Sequence, residues 1–201
     1  MPTQVQRTAS ARRRLIAAAT ALVGEQGVGN TSVAAIGERA GMSRGAVNFH
    51  FGSKDELLTA VAEEVTAEWE TRAFGYAMPE GASFETGLTE MIDAHRRDIE
   101  ADDQRFRIFA MLFFESLGPS PHLHEHFARL HRRVRARMVE IVVALQEAGD
   151  VRQDVDLDGL TTFVIGAFRG IAFQYLLDPE QVQLKAAYDE ASASLVARLR
   201  A

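Results

Sequence analysis

The chain has 201 residues, 47% of them hydrophobic and 25% charged, which fits a compact globular protein of one or two small domains. Cysteine is absent, which excludes disulfides and thiolate chemistry and agrees with a cytoplasmic protein. We find no apolar run near 18 residues and no apolar core after the N-terminal charges, so we expect neither a membrane span nor a secretory signal.

The net charge of −6 is unevenly divided along the chain. Residues 1–60 carry seven Lys/Arg against four Asp/Glu, a net +3, whereas residues 61–201 carry 15 against 24, a net −9. A basic first part on an acidic remainder indicates that one end meets an anionic partner.

Apolar spacing predicts an all-α fold of about nine helices and no sheet. The first four helices are predicted at residues 10–26, 31–40, 44–49 and 54–69. Gly27 suits a left-handed C-terminal cap of the first helix, and Ser43 can cap the third. Ser53 with Glu56 three residues later forms a capping box for the fourth.

The composition changes after "GYAMPEG", and five more helices are predicted at about residues 84–101, 104–117, 121–148, 156–177 and 180–200. We therefore predict two domains. Residues 1–53 form an N-terminal three-helix head with a helix-turn-helix, and residues 54–201 form a C-terminal helical bundle body.

The second and third predicted helices are short and joined by a glycine-containing turn, which is the geometry of a DNA-binding helix-turn-helix. Arg44 lies at the start of the recognition helix, where an arginine can pair bidentately with guanine. Gly45 and Ala46 are small and allow the backbone to approach the groove. His50 and Lys54 lie past the helix, where hydrogen-bond donors meet phosphate oxygens.

Each of these features also has an interpretation without DNA. The run Arg12–Arg14 is either a solvated charge cluster or the partner of an outside anion at a helix start. His50 is equally an ordinary surface imidazole. We interpret Phe49 and Phe51 as packing residues of the head rather than as platforms for bases.

The segment "TSVAAIGERAGMSRGAVNFHFGSKDELLTAV" (residues 31–61) closely resembles the signature of the TetR family of bacterial transcriptional repressors. The family pattern has "AGVS" followed by "G-T/A-L-Y-x-H-F-x-S-K-x-x-L", and the match covers about 45 residues from Arg14 to Leu58. The resemblance implies a homodimer in which each subunit has a DNA-binding head and a body with a small-molecule pocket. Ligand binding would move the fourth helix, separate the heads and release a palindromic double-stranded operator.

The resemblance also implies roles for individual residues. The residues that would face bases are Arg44, Gly45 and Ala46, and those that would contact phosphates are Thr31, Ser32, His50 and Lys54. The family usually has Tyr where this chain has Asn48. This amide could reach a phosphate or an adenine edge, and we favour phosphate because phosphate contacts outnumber base contacts.

Aromatic residues concentrate in the body, where ten of the twelve phenylalanines lie after residue 60. Phe106, Phe109 and Phe113 recur on one helix face, and with Trp69 and Phe168 they are our candidates for the effector pocket. Core packing explains most such residues equally well. If they line a pocket, its effector is a small apolar or aromatic molecule.

Arg169 interrupts the apolar segment "TTFVIGAFRGIAFQYLL" and therefore needs a partner. A carboxylate across a dimer is the favoured partner, and a ligand anion is the alternative. The predicted dimer interface comprises Gly166, Arg169, Gly170 and Phe173 of this segment with Tyr188 and Leu195 of the last helix.

His122 and His126 are four residues apart, a spacing that suits a metal, but a third ligand is not evident and we favour a surface cluster. We find no arrangement typical of catalysis and expect neither enzymatic activity nor a cofactor. The sequence predicts a ligand-responsive transcriptional repressor. The alternative is a helical ligand or metal sensor that does not bind DNA.

Overall fold

The computed structural model describes residues 3–75 and 83–200, and this part of the chain consists of α-helices without a β-strand. The helices are α1 (Gln4–Asn30), α2 (Val33–Arg39), α3 (Ala46–Phe51), α4 (Lys54–Gly75), α5 (Phe84–Ala101), α6 (Asp103–Glu115), α7 (Pro121–Ala148), α8 (Leu157–Leu177) and α9 (Leu184–Leu199). The predicted all-α fold with a three-helix head is confirmed.

The first helix begins earlier than Ser10, because a capping box precedes the predicted start. The Thr3 hydroxyl accepts a hydrogen bond from the Gln6 amide at 3.2 Å, and the Thr3 amide donates to the Gln6 side chain at 2.8 Å. The helix is interrupted at Gly27, whose φ of +80° lies in the region that favours glycine.

The recognition helix begins at Ala46 rather than at Arg44. Gly45 is its N-cap, and the Ala46 amide donates to the Ser43 carbonyl at 2.9 Å, so the predicted cap by the Ser43 side chain is wrong. Arg44 consequently lies in the turn that precedes α3. At the start of α4, the Ser53 hydroxyl accepts from the Glu56 amide at 3.1 Å, which confirms the serine cap. The Glu56 carboxylate accepts from the Ser53 hydroxyl at 3.2 Å.

The chain divides into two compact units. The first unit comprises Met1–Trp69 with Gln104–Arg129, and the second comprises Glu70–Asp103 with Leu130–Ala201. The first division along the chain thus follows Trp69, later than the predicted boundary at residue 53. The functional assignment of the two predicted domains stays a prediction.

The core of the first unit forms where α1 packs on α2 and α3. Its fully buried side chains come from five helices and include Leu15, Val23, Ile36, Val47, Leu57, Val61 and Leu112. Burial of each such side chain stabilises the fold by about 1.5–3 kcal/mol. This core fixes α3 against α1 and leaves one face of α3 exposed.

In the second unit α9 packs on α5 and on α8. Two polar pairs bridge α5 and α9: Thr89 to Ser192 at 3.1 Å, and His95 Nδ1 to the Tyr188 hydroxyl at 2.9 Å. By length and composition α8 could cross a membrane, contrary to our reading of the sequence. This is weak evidence for a membrane span, because core helices of soluble proteins pass the same test.

Candidate nucleic-acid interface

The turn between α2 and α3 is built around two glycines. The Met42 amide donates to the Gly37 carbonyl at 2.8 Å, and a Cβ on Gly37 would lie 2.9 Å from the Ser43 carbonyl oxygen. Gly41 has a φ of +65°, which other residues rarely adopt. The turn therefore holds α2 and the segment before α3 closer together than a side chain at position 37 would allow.

Three cations of the first unit each meet a carbonyl at the end of a helix. Arg12 donates to the His50 carbonyl at the end of α3, and Arg14 donates to the Ala40 carbonyl after α2. The Lys54 ammonium donates to the Val28 carbonyl near the end of α1 at 2.9 Å. Cations are stabilising at helix C-termini, where the dipole is negative. Arg12 and Arg14 therefore have carbonyl partners within the chain. Neither the solvated-cluster interpretation nor an outside anion accounts for them by itself.

The surface at the start of α3 is formed by Arg44 in the preceding turn and by the N-cap Gly45, which are both exposed. A Cβ on Gly45 would meet nothing within 4 Å, and its φ of −78° suits any residue. The fold itself therefore does not require glycine at this position. Asn48 and Phe49 continue the exposed face along the helix.

Two predictions for α3 are corrected by burial. Ala46 is 8% exposed and packs inside the head, so its side chain supports the exposed face from within rather than forming part of it. Phe49 is 82% exposed, so the prediction that it packs in the core is wrong. Phe51 is buried as predicted, and the Arg12 guanidinium lies 4.1 Å from its ring centroid.

The residues predicted to contact phosphates differ in their accessibility. Ser32 is exposed and caps α2, accepting from the Ala35 amide at 3.1 Å. His50 and Lys54 are partly exposed. Thr31 is 1% exposed and donates its hydroxyl to the Gly27 carbonyl at 2.7 Å, so a phosphate contact by its side chain is wrong.

Two family models match the chain over most of its length. The model for bacterial regulatory proteins of the tetR family matches residues 15–61, which include α2 and α3. The model for the C-terminal part of BetI-type transcriptional repressors matches residues 86–200, more than half of the chain. The chain belongs to the TetR family. The protein is thus a transcriptional regulator with a helix-turn-helix DNA-binding head, and the resemblance found in the sequence is confirmed.

Individual relatives agree with this family. PksA, an HTH-type transcriptional regulator of Bacillus subtilis, is 27% identical over 187 residues, covering 90% of this chain and 86% of its own. The repressor AcnR of Corynebacterium glutamicum is 29% identical and covers 77% of this chain and 76% of its own. SmeT, the repressor of a Stenotrophomonas maltophilia multidrug efflux pump, has been solved with triclosan. That structure is 22% identical, with a TM-score of 0.79 over 95% of this chain and 92% of its own.

This TetR-family regulator has a row of half-buried aromatic rings in its first unit. Phe106 stacks on Phe109 at 5.5 Å between centroids, and Phe109 on Phe113 at 6.1 Å. Phe127 of α7 meets Phe109 and Phe113 edge-on, at 5.6 Å each. Trp69 is also half-buried in this unit. Phe168 belongs to the second unit, where it packs near His95 and Tyr188, so the five pocket candidates do not form one cluster within either unit.

The predicted dimer residues separate into an open and a buried set. Gly166 is exposed, and a Cβ on Gly166 or Gly170 would meet nothing within 4 Å. Arg169 and Phe173 are half-buried on the same helix, and burial lowers the pKa of the Arg169 guanidinium from its usual value. Tyr188 and Leu195 are 1% and 4% exposed, so their placement on the dimer surface is wrong, because α5 and α8 cover them within the subunit.

The two histidines with metal-like spacing have different environments. His126 is buried and meets Phe127 edge-on at 5.1 Å, whereas His122 is exposed, so the surface interpretation is wrong for His126. Across residues 3–75 and 83–200, no group of three or more His, Asp or Glu side chains is placed to hold a metal ion.

The sequence did not predict a contact made by Asp55 in the first turn of α4. Its carboxylate accepts from the amides of His122 at 2.9 Å and Leu123 at 3.4 Å, at the N-terminus of α7. A carboxylate there satisfies unpaired amides and complements the positive end of the helix dipole. The start of α4, directly after the recognition helix, is therefore tied to the start of α7. No local pattern indicates this contact, because 67 residues separate the partners.

Proposed function

We propose that the protein is a homodimeric repressor that binds a palindromic operator and releases it when a small apolar or aromatic molecule binds. The observation that carries the DNA-binding role is the exposed start of α3. There Arg44 and Gly45 face outward and the space beside Gly45 is open. In a helix-turn-helix this end of the second helix meets base edges in the major groove.

In the proposed complex Arg44 pairs with a guanine, and Gly45 lets the backbone approach the base edges. Ser32, Asn48, His50 and Lys54 hold phosphates on either side. All four are at least partly exposed. Lys54 has the further role of capping α1 through Val28, and a lysine ammonium has three donors, so both contacts can be made together.

Homodimerisation is supported by the outward apolar face of α8. Phe163 is 53% exposed and Leu177 87% exposed, and Gly166 leaves room for a second helix to approach. Large apolar side chains left exposed along one helix are candidates for an interaction site. Light scattering with size-exclusion chromatography tests this step, and Gly166→Arg should shift the dimer towards monomer. A wild-type monomer at micromolar concentration would contradict it.

The effector class is supported by the half-buried row Phe106, Phe109 and Phe113, since stacked rings with partial exposure can receive a further aromatic ring. Triclosan, the ligand in the SmeT complex, is the first compound to test. A thermal-shift screen of apolar compounds, followed by gel shifts with each hit, would identify an effector. Compounds that raise the melting temperature without weakening the DNA complex would contradict release by this class of ligand.

As a DNA-binding regulator, the protein is proposed to act in the cytoplasm without a cofactor.

The central experiment is a gel shift of the purified full chain on its own upstream DNA and on duplexes selected from a random pool. We expect specific binding whose affinity falls steeply with salt, because phosphate contacts release counterions. Absence of a shift on both kinds of DNA at low salt would refute the proposed DNA-binding role.

A further inference from the structure

Phe49 is a large apolar side chain on the exposed face of the recognition helix. Gly45, four residues earlier, lies on the same side of the helix and is exposed, and the adjacent residue Asn48 is exposed as well. Residues three or four apart share one face of a helix, so Phe49 stands beside the open space at Gly45. The Phe49 ring meets the His50 ring edge-on at 4.9 Å between centroids.

A single exposed apolar residue needs no special explanation in general. The position of Phe49 is what makes its exposure informative, because in the proposed complex α3 presents this face to DNA. The other side of α3 is used for packing, where Val47 and Phe51 are buried. The Phe49 ring therefore contributes little to the fold and is free to lose its exposed area against a ligand.

The chemistry of duplex DNA offers one good match for such a ring. Phosphates are charged and the faces of paired bases are stacked on each other. On the base edges in the major groove, the 5-methyl group of thymine is the apolar element, and phenylalanine is one of the side chains that contact it.

We propose that Phe49 is a specificity-determining residue that packs against the 5-methyl group of a thymine in each operator half-site. The inference rests on the proposed function, because it needs α3 in the major groove. In the proposed complex Arg44 pairs with a guanine, and Phe49 adds an apolar contact with a thymine. This contact would make α3 selective for an A·T pair beside its C-terminal half.

Thymine-to-uracil replacement tests the proposal directly, since the two bases differ by this methyl group alone. An operator is first selected from random duplex with the full-length wild-type protein. Each thymine of the half-site is then replaced by deoxyuridine, and affinities are measured for the wild type and for Phe49→Ala. We expect one position in each half-site at which the wild type loses affinity about fourfold, as one buried methyl group predicts. Phe49→Ala should bind the thymine and uracil duplexes equally.

Phe114→Ala is the matched control, because Phe114 is also an exposed phenylalanine of the first unit, 55% exposed, but lies on α6. It should keep the wild-type uracil penalty. Circular dichroism should show both variants folded. The proposal is overturned if no thymine of the selected operator is methyl-sensitive, or if Phe49→Ala retains the full penalty. Failure to bind any duplex at low salt is a different outcome, which refutes the DNA-binding role itself and this assignment with it.

Discussion

Replacing Lys54 by methionine separates two roles that the structure gives to one ammonium group. Methionine keeps an unbranched apolar stem and removes the charge. The ammonium of Lys54 lies 2.9 Å from the Val28 carbonyl at the end of α1, and it is partly exposed. Lys185, the other lysine of the chain, pairs on the surface with Asp189 and has a side chain that is 67% exposed, so Lys185→Met is the matched control.

The expected loss of stability follows from the contact. A hydrogen bond to a charged group contributes about 1.5–3 kcal/mol when well shielded, and partial exposure reduces this to about 1–2 kcal/mol. For a protein of this size that corresponds to a fall in melting temperature of roughly 2–8 °C. The Lys185 pair is a surface i,i+4 pair, so Lys185→Met should cost at most about 0.5 kcal/mol. Urea unfolding of the wild type and both variants, at the same protein concentration, measures these changes in the free energy of unfolding.

The expected loss of DNA binding has a different signature. Each phosphate contact contributes about 0.9 to the slope of log affinity against log salt. If each head of a dimer places Lys54 on one phosphate, Lys54→Met should reduce the slope by about 1.8, while Lys185→Met leaves it unchanged. A lower stability with an unchanged slope would show that Lys54 only caps α1. An unchanged stability would refute the argument from the Val28 contact.

Three further predictions concern single side chains. Arg44→Ala should weaken binding to the selected operator by about 1–3 kcal/mol and flatten the preference for guanine at one position, as binding-site selection would show; an unchanged preference would contradict its role. Gly37→Ala should destabilise the head by about 1–3 kcal/mol, because the new Cβ would lie 2.9 Å from a backbone oxygen, whereas Gly45→Ala, with open space, should cost about 1 kcal/mol or less in urea unfolding yet weaken DNA binding. Burial lowers the pKa of His95 to about 4 from 6.5, so the folded state binds fewer protons between these values and stability is lost as the pH falls below 6.5. The wild type should therefore lose about 2–3 kcal/mol more than His95→Gln between pH 7 and pH 4.5, and equal losses would refute this assignment.

The sequence predicts the helix-turn-helix well because its signals are local. Two short apolar patterns, a glycine turn and the Ser53 cap of α4 lie within about 30 residues, and the helices form close to the predicted positions. The exposure of individual residues in α3 is less well predicted, since a helix of six residues has too few positions to define a face by periodicity. Phe49 and Phe51 are two residues apart and face different sides, so both could not pack inward. This geometric signal was present in the sequence and identifies one of the two as exposed.

The body is predicted as helices but not as contacts. Tyr188 and Leu195 are seven residues apart and share a face of α9, as the pattern indicates. An apolar face must be covered, but periodicity does not say whether another helix of the same subunit or a second subunit covers it. The structure shows that α5 and α8 do so, with His95 bonded to Tyr188. Long-range contacts such as Asp55 with the start of α7 are equally invisible to local patterns.

The cations of the head illustrate how a charge excess and a fold are connected. A net +3 in the first 60 residues indicates an anionic partner, yet Arg12, Arg14 and Lys54 all bond to carbonyls at helix ends. These roles do not compete, because arginine has five donors and lysine three, and a carbonyl uses one of them. In the proposed complex, fixing these cations on helix ends would lower the entropy cost of any contact that they make with a phosphate. A measured change in DNA affinity for any of the three is therefore interpretable only together with the free energy of unfolding of the same variant.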